Sequence, residues 1–338
     1  MHNIVISSIG HAVPEHKIPN AFFTQLDIES EAQWIEERTG ILSRYSVLDP
    51  ETIMQLRHGN LDPLLLHREK RYASIADLAE LCWAEAQKKH QYSMLQGFTP
   101  QLLLLGTSIP DFEIPANATS IAAKLKLSCC SFDVNSACSS FIVDLSVAKA
   151  MLENDSYNSA AIFNVERYTT RLDFTDRRSA ILFGDGATAA FIEKHERTRG
   201  LKVIDILVKS DPSGYDMITI PNLGFFTQNG AAVQRFAIQK TIEATLEILE
   251  RNALTPANIH YFVGHQANLR MLQSVAQKLG LRDEQHLFNV DHYGNQGAAG
   301  APSVLAQNWD RFNPGDKIVV AVVGSGLTYG AALLEWRQ

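Results

Sequence analysis

Four short apolar runs constrain this chain more than any other feature. Residues 102–106 (Leu-Leu-Leu-Leu-Gly), 160–165 (Ala-Ala-Ile-Phe-Asn-Val), 261–265 (Tyr-Phe-Val-Gly-His) and 317–323 are nearly continuous in apolar character. Runs this short cannot cross a membrane as a helix, and their lack of alternation predicts strands covered on both faces. Further strands are expected at 3–9, 201–208 and 329–334. Helical patterns fall between them, at about 31–38, 73–90, 117–126, 228–252, 267–279 and 298–309. Buried strands alternating with helices argue for an α/β protein whose sheets are covered by helices. With 338 residues and 46% hydrophobic composition, the chain can bury one large core or two fused cores of about 150 residues each.

The succession of strands and helices repeats in coarse outline, which predicts two similar halves, residues 1–195 and 196–338, packed as one body. Residues 179–192 read as two apolar strands joined by a glycine turn, matching in placement the strand-turn-strand at 317–334. The charged stretch 193–200 closes the first half. Residues 49–72 have no clear period and contain Pro50, Gly59, Pro63 and the basic run 67–71. They read as an excursion from the core: a lid, a dimer contact or a solvated loop.

Within this frame, residues 132–141 (Phe-Asp-Val-Asn-Ser-Ala-Cys-Ser-Ser-Phe) run from a strand straight into a helix. Phe141, Ile142, Leu145, Ala148, Met151 and Leu152 share one helical face, so Cys138 falls at the helix start. Free backbone N–H groups and the helix dipole there favour a thiolate and an activated nucleophile. The alternative is a buried structural cysteine. Cys129 and Cys130 read as strand packing and Cys82 as core; an adjacent pair without C-x-x-C suggests neither a disulfide framework nor a zinc site. A net charge of −7 argues against general nucleic-acid binding, so an acidic partner must meet a local basic patch. With no long apolar run and no leader-like start, the chain reads as cytoplasmic and without a membrane segment.

Two more polar residues sit at element ends. His265 closes a buried strand before a helix beginning near Ala267, and Asn295 lies in a glycine-rich segment before a helix of small residues. Alone, either is equally a packed histidine or a turn asparagine. Together with Cys138 they are three reactive or polar side chains at element ends of an α/β chain, where active sites are built.

The segments 133–138 (Asp-Val-Asn-Ser-Ala-Cys), 183–187 (Phe-Gly-Asp-Gly-Ala), 265–270 (His-Gln-Ala-Asn-Leu-Arg), 293–295 (Tyr-Gly-Asn) and 324–331 (Gly-Ser-Gly-Leu-Thr-Tyr-Gly-Ala) resemble those of β-ketoacyl-acyl carrier protein synthase III, a condensing enzyme of the thiolase superfamily. Trp34 and Arg38-Thr39-Gly40 match an N-terminal motif of the same family. The resemblance implies the duplicated, five-layered αβαβα thiolase fold, a homodimer, and a Cys138–His265–Asn295 site that uses no metal or redox cofactor. It implies that Cys138 takes an acyl group from coenzyme A or an acyl carrier protein. His265 and Asn295 would then assist loss of CO₂ from a malonyl-type thioester, in fatty acid or secondary-metabolite synthesis. The backbone N–H groups of Cys138 and Ser325 would form the oxyanion hole. Trp34, Arg38, Ile114, Ala267 and Asn268 would contact substrate, and Arg235, Arg270 and Lys278 would dock the acidic carrier. Ile114 stands where the family often has an aromatic ring near the partner subunit, Gln234 where it often has Phe, and Ser325 where it commonly has a third glycine.

Two other functions fit parts of this pattern. Acyl transfer to an alcohol or amine needs Cys138 and His265 but not Asn295, and a catalytically idle carrier-binding subunit needs none of the three.

Overall fold

A computed structural model describes residues 3–69, 71–94, 97–195, 199–222 and 224–337. Lys70 of the basic run and residues 196–198 of the charged stretch lie outside the described residues. Ten strands form one continuous mixed sheet: β1 Asn3–Ala12, β2 Leu102–Gly106, β3 Cys130–Asp133, β4 Ser159–Glu166, β5 Gly186–His195, β6 Gly200–Ser210, β7 Tyr261–Gly264, β8 His286–Leu287, β9 Lys317–Val323 and β10 Thr328–Arg337. Their spatial order is β3-β2-β4-β5-β1-β6-β10-β9-β7-β8, which reads the same way outward from its centre. In each half, three strands run parallel and are followed by an antiparallel hairpin: β3, β2 and β4 then β5, and β8, β7 and β9 then β10. The halves join where β1 pairs antiparallel with β6, Val5 opposite Lys202 and Ile6 opposite Leu201.

Strand alternation explains the layers. Leu103, Leu105, Ala161, Phe163 and Phe191 face the helix Ile75–Met94, whose Ile75, Leu78, Ala79, Cys82 and Ala86 complete an outer core. Their neighbours Leu102, Leu104, Ala160 and Ile162 point the other way, onto the helices Ser140–Glu153 and Gly300–Gln307. Those two helices also receive Ile318, Val320 and Val322 of β9, while Val319, Ala321 and Val323 face the helices Gly230–Arg251 and Leu269–Leu279. Strands buried on both faces must be apolar at every position, which is why these runs do not alternate. The stack is helix, sheet, helix, sheet, helix: the five-layered thiolase architecture expected from the resemblance. Among the described residues no helix is long and apolar enough to cross a membrane.

Three expectations are corrected. Residues 49–72 form two helices, Pro50–Arg57 and Pro63–Glu69, and Ile53 and Leu66 are buried in the outer core, so the segment is part of the body. Asp49 caps the first helix by accepting from Thr52 N, and Pro50 occupies its first turn, a start signal legible in the sequence. Residues 179–192 are not two strands: Arg177–Ala180 is a short helix, and the apolar stretch after it is buried loop leading to β5. The counterpart of the β9–β10 hairpin is therefore β4–β5, with a long connection that crosses the site. Finally, the helix after His265 begins at Leu269, because Asn268 is its N-cap and accepts from Met271 N at 2.8 Å. Gly40, in the left-handed conformation, ends the helix Ala32–Thr39 as read from the sequence.

Candidate active site

Chain direction brings the reactive residues together at the C-terminal ends of the parallel strands. Cys138 follows β3 in a 3₁₀ turn, Ala137–Ser139, which runs into the helix Ser140–Glu153. The turn is an elbow held under strain. Ala137 adopts φ +46°, a conformation that costs a residue with a Cβ about 1–2 kcal/mol. The Asn135 side chain holds it by accepting from Ala137 N at 2.9 Å, while Ser140 Oγ accepts from Ser136 N and donates to Ala137 O. His265 follows β7, and Asn295 follows a short helix, Val290–Tyr293, its backbone paired with Phe183 on the crossing connection.

Cys138, His265 and Asn295 line one cavity of about 620 Å³. Asn295 is 5% exposed, and its Oδ1 accepts from Gly297 N at 3.0 Å. That bond fixes the carboxamide and leaves Nδ2 as the donor turned to the cavity. His265 Nδ1 is buried with no partner among the described residues, so Nε2 is the nitrogen that faces the cavity. Burial without a countercharge lowers the His265 pKa to about 4, and the imidazole is neutral at pH 7. The site thus holds a neutral imidazole and a carboxamide in the same cavity as a thiol.

The thiol is not the preformed thiolate expected from its position. Burial, and after it the charge of Glu166, push Cys138 up to about 12. Its side-chain partner among the described residues is Tyr168 Oη, 3.6 Å from Sγ.

The loop that carries Ser325 is tight. A Cβ on Gly324 would lie 2.7 Å from Ser136 O and Ser139 N, so only glycine lets this strand end touch the Cys138 turn. Gly326 carries the positive φ of +93°, whereas Ser325 sits in ordinary backbone and anchors the loop by donating to Ile218 O at 2.7 Å. Serine at 325 therefore takes no freedom that the loop uses.

Trp34, Arg38, Ala267, Asn268, Gln234 and Ser325 also line the cavity. The Trp34 ring lies under two guanidinium groups, Arg177 at 4.9 Å and Arg38 at 5.9 Å from its centroid. Ile114 stands apart: it is 87% exposed and forms no part of the cavity wall in this chain. Arg235 and Lys278 flank a separate shallow groove with Ile238, Ile242 and Glu243. Arg270 is not in it. Its guanidinium donates to Glu36 O and Glu37 O, the last carbonyls of the helix bearing Trp34. Arg270 is exposed, and its charge is held at that helix end.

Sequence reasoning missed Tyr168, Arg177, Arg178, Phe183 and Phe226 in the wall, and Glu166 behind it. The arginines could have been found, since Arg177 and Arg178 stand together just before the apolar run 180–183. Tyr168 and Glu166 carried no local signal.

The chain is similar to known proteins along most of its length. Residues 132–212 match the family described as 3-oxoacyl-[acyl-carrier-protein] synthase III, and residues 249–336 match its C-terminal domain. A β-ketoacyl-[acyl-carrier-protein] synthase III of Rhodospirillum centenum is 31% identical, with 98% of each chain aligned. One from Helicobacter pylori J99 is also 31% identical, with 97% of each chain aligned. Among solved structures, the 3-oxoacyl-(acyl carrier protein) synthase III of Pseudomonas aeruginosa PAO1 superimposes with a TM-score of 0.85 at 26% identity, covering 99% of both chains.

Proposed function

Because this chain belongs to the β-ketoacyl-acyl carrier protein synthase III family of condensing enzymes, we propose that it is an acyltransferase that loads an acyl group on Cys138 and condenses it with a malonyl-type thioester. One observation carries the reading: a thiol, a neutral imidazole Nε2 and a carboxamide Nδ2 share one cavity. Cys138 Sγ attacks the donor thioester and the donor's sulfur leaves, an exchange between near-equal bonds. The malonyl-type substrate then loses CO₂, and the electron pair of the broken C–C bond develops as an enolate. Neutral donors at His265 and Asn295 stabilise its oxygen without giving up a proton. The enolate carbon attacks the acyl-Cys138 carbonyl, whose oxygen is met by the N–H groups of Cys138 and Ser325. Both amides stand at the starts of 3₁₀ turns, where backbone donors have no intrahelical acceptor. The scheme calls for no cofactor beyond the thioester substrates.

Arg38, Arg177 and Arg178 at the cavity wall, with Trp34 between two of them, suit a phosphorylated, aromatic handle such as coenzyme A. The groove bearing Arg235 and Lys278 is assigned to an acidic acyl carrier protein. A homodimer completes the proposal, with the exposed Ile114 reaching the acyl site of the second copy. Acyl transfer to an alcohol or amine has no use for the Asn295 donor and is the weaker reading. Intact-mass spectrometry after incubation with acyl thioesters is expected to show one acyl adduct, absent in Cys138→Ala, and the adduct should release CO₂ from a malonyl thioester. Adduct formation without CO₂ release from any malonyl donor would replace condensation by simple acyl transfer.

A further inference from the structure

Behind Cys138 a line of hydrogen bonds runs inward. Sγ lies 3.6 Å from Tyr168 Oη; Tyr168 Oη donates to Ser108 Oγ at 2.9 Å; Ser108 Oγ donates to Glu166 Oε1 at 3.0 Å. Sheet register builds it. Gly106 of β2 pairs with Asn164 of β4, so Ser108 and Glu166 emerge side by side two residues beyond. Ser108 N also donates to Glu166 Oε2 at 2.9 Å, and Ala298 N donates to Oε1 at 3.2 Å. Tyr168 is fixed by its ring, 4.5 Å from Phe183 in a stacked arrangement and 6.0 Å edge-on from Phe226. Both hydroxyl protons already point toward the carboxylate, so the interaction left to the thiol is to donate to Tyr168 Oη.

We propose that Tyr168 is a catalytic residue and that Tyr168, Ser108 and Glu166 form the path by which the Cys138 proton leaves as sulfur attacks the donor thioester. The inference rests on the acyl-transfer reading above. The S–H bond breaks as the S–C bond forms. The thiol proton passes to Tyr168 Oη, the tyrosine proton to Ser108 Oγ and the serine proton to Glu166 Oε1, leaving a neutral carboxylic acid. The donor's sulfur departs with the electron pair of its C–S bond and takes a proton from water at the cavity mouth. When condensation frees Cys138 as a thiolate, the three protons shift back.

The charges around the path agree with this direction. Glu166 is fully buried and raised to about 7, first by desolvation and also by Asp185 across from it, against the pull of its three N–H and O–H donors. Arg167 faces Asp185 and offsets part of its charge, and is itself ion-paired with Asp111 at 2.8 Å. A carboxylate so placed is close to exchanging its proton at neutral pH, while a thiol held at about 12 needs an acceptor. His265 faces the same cavity but has no hydrogen bond to Sγ among the described residues, and is committed as a neutral donor. Relays of this kind act as a unit, so breaking any link is expected to remove the effect.

The test measures two rates from pH 5 to 10 for wild type, Tyr168→Phe and Ser108→Ala: single-turnover acylation, and alkylation of Cys138 by iodoacetamide. Both variants should acylate at least tenfold more slowly at pH 7, and both should lose the rate inflection near pH 7 in both reactions. Ser108→Ala keeps the tyrosine against the thiol, so its loss of the inflection cannot be a packing defect at Tyr168. Retention of the inflection in either variant, even with a slower rate, would overturn the path and leave Tyr168 a wall residue. Should no donor acylate wild type, the acyl-transfer reading fails on its own, and the alkylation profile still decides the path.

Discussion

Asn295 offers a clean separation of the two half-reactions, because its two side-chain ends do different work. Oδ1 is engaged by Gly297 N at 3.0 Å, and Nδ2 alone is left for substrate. Asn295→Asp preserves the shape and the acceptor for Gly297 N but replaces the donor by a charged oxygen. Asn295→Ala removes both ends. Loss of one preorganised donor to a developing oxyanion costs about 10²–10³ in rate, roughly 2.7–4 kcal/mol. Alanine should therefore condense slower by that factor, with a further stability loss of about 1 kcal/mol from the unmet Gly297 N–H. Aspartate should be worse. A carboxylate about 4 Å from an enolate oxygen adds a repulsion on the order of 4 kcal/mol at an effective dielectric of 20, so its condensation should fall roughly another 10³-fold. Neither change touches the attack of Cys138 on the donor. The assay loads each variant with acyl donor, scores the adduct by intact mass, then follows CO₂ release in a single turnover. Aspartate condensing as well as alanine would mean that Asn295 does not face the enolate; loss of the adduct in both would place it in acyl transfer instead.

Two further outcomes are expected. Glu166 is raised from the 4.5 of an exposed glutamate to about 7, so its neutral form contributes stability that is fully present below pH 4.5 and is lost as pH rises through 7. The unfolding free energy of Glu166→Gln relative to wild type should therefore improve by roughly 3 kcal/mol between pH 4.5 and 8 in urea titrations, and an unchanged gap would show that Glu166 titrates as an ordinary carboxyl. Charge reversal at Arg235 and Lys278 together should raise KM for a carrier-borne donor by about tenfold at low salt and leave a coenzyme A donor unaffected; equal effects on both would remove the groove from carrier docking. Arg270 is unsuitable for that test, since reversing it would repel the carbonyls it caps and disturb Trp34.

How much of this was legible in the sequence depended on how local the cause was. β2 and β9 were bounded to the residue, because a strand covered on both faces is apolar from end to end and its neighbours are not. The same signal misled at 180–183: apolar residues there are buried by a crossing loop, and burial alone does not distinguish a strand from a packed connection. The helices within 49–72 were overlooked because each contributes few buried side chains, Ile53 and Leu66 among them, too few for periodicity to register. There the informative signal was the cap, Asp49-Pro50, and not the pattern.

The site divides along the same line. Cys138, His265 and Asn295 were readable since each ends an element within a recognisable local segment. What surrounds Cys138 was not, because it is assembled by sheet order: Ser108 and Glu166 are 58 residues apart and meet only because β2 and β4 are parallel neighbours. The consequence is chemical as well as architectural. A helix start argues for a lowered thiol pKa on local grounds, yet the thiol rises because long-range packing partly buries it and sets a carboxylate nearby. Local sequence could specify that a cysteine stands at the elbow; only the tertiary neighbours decide where its proton is held.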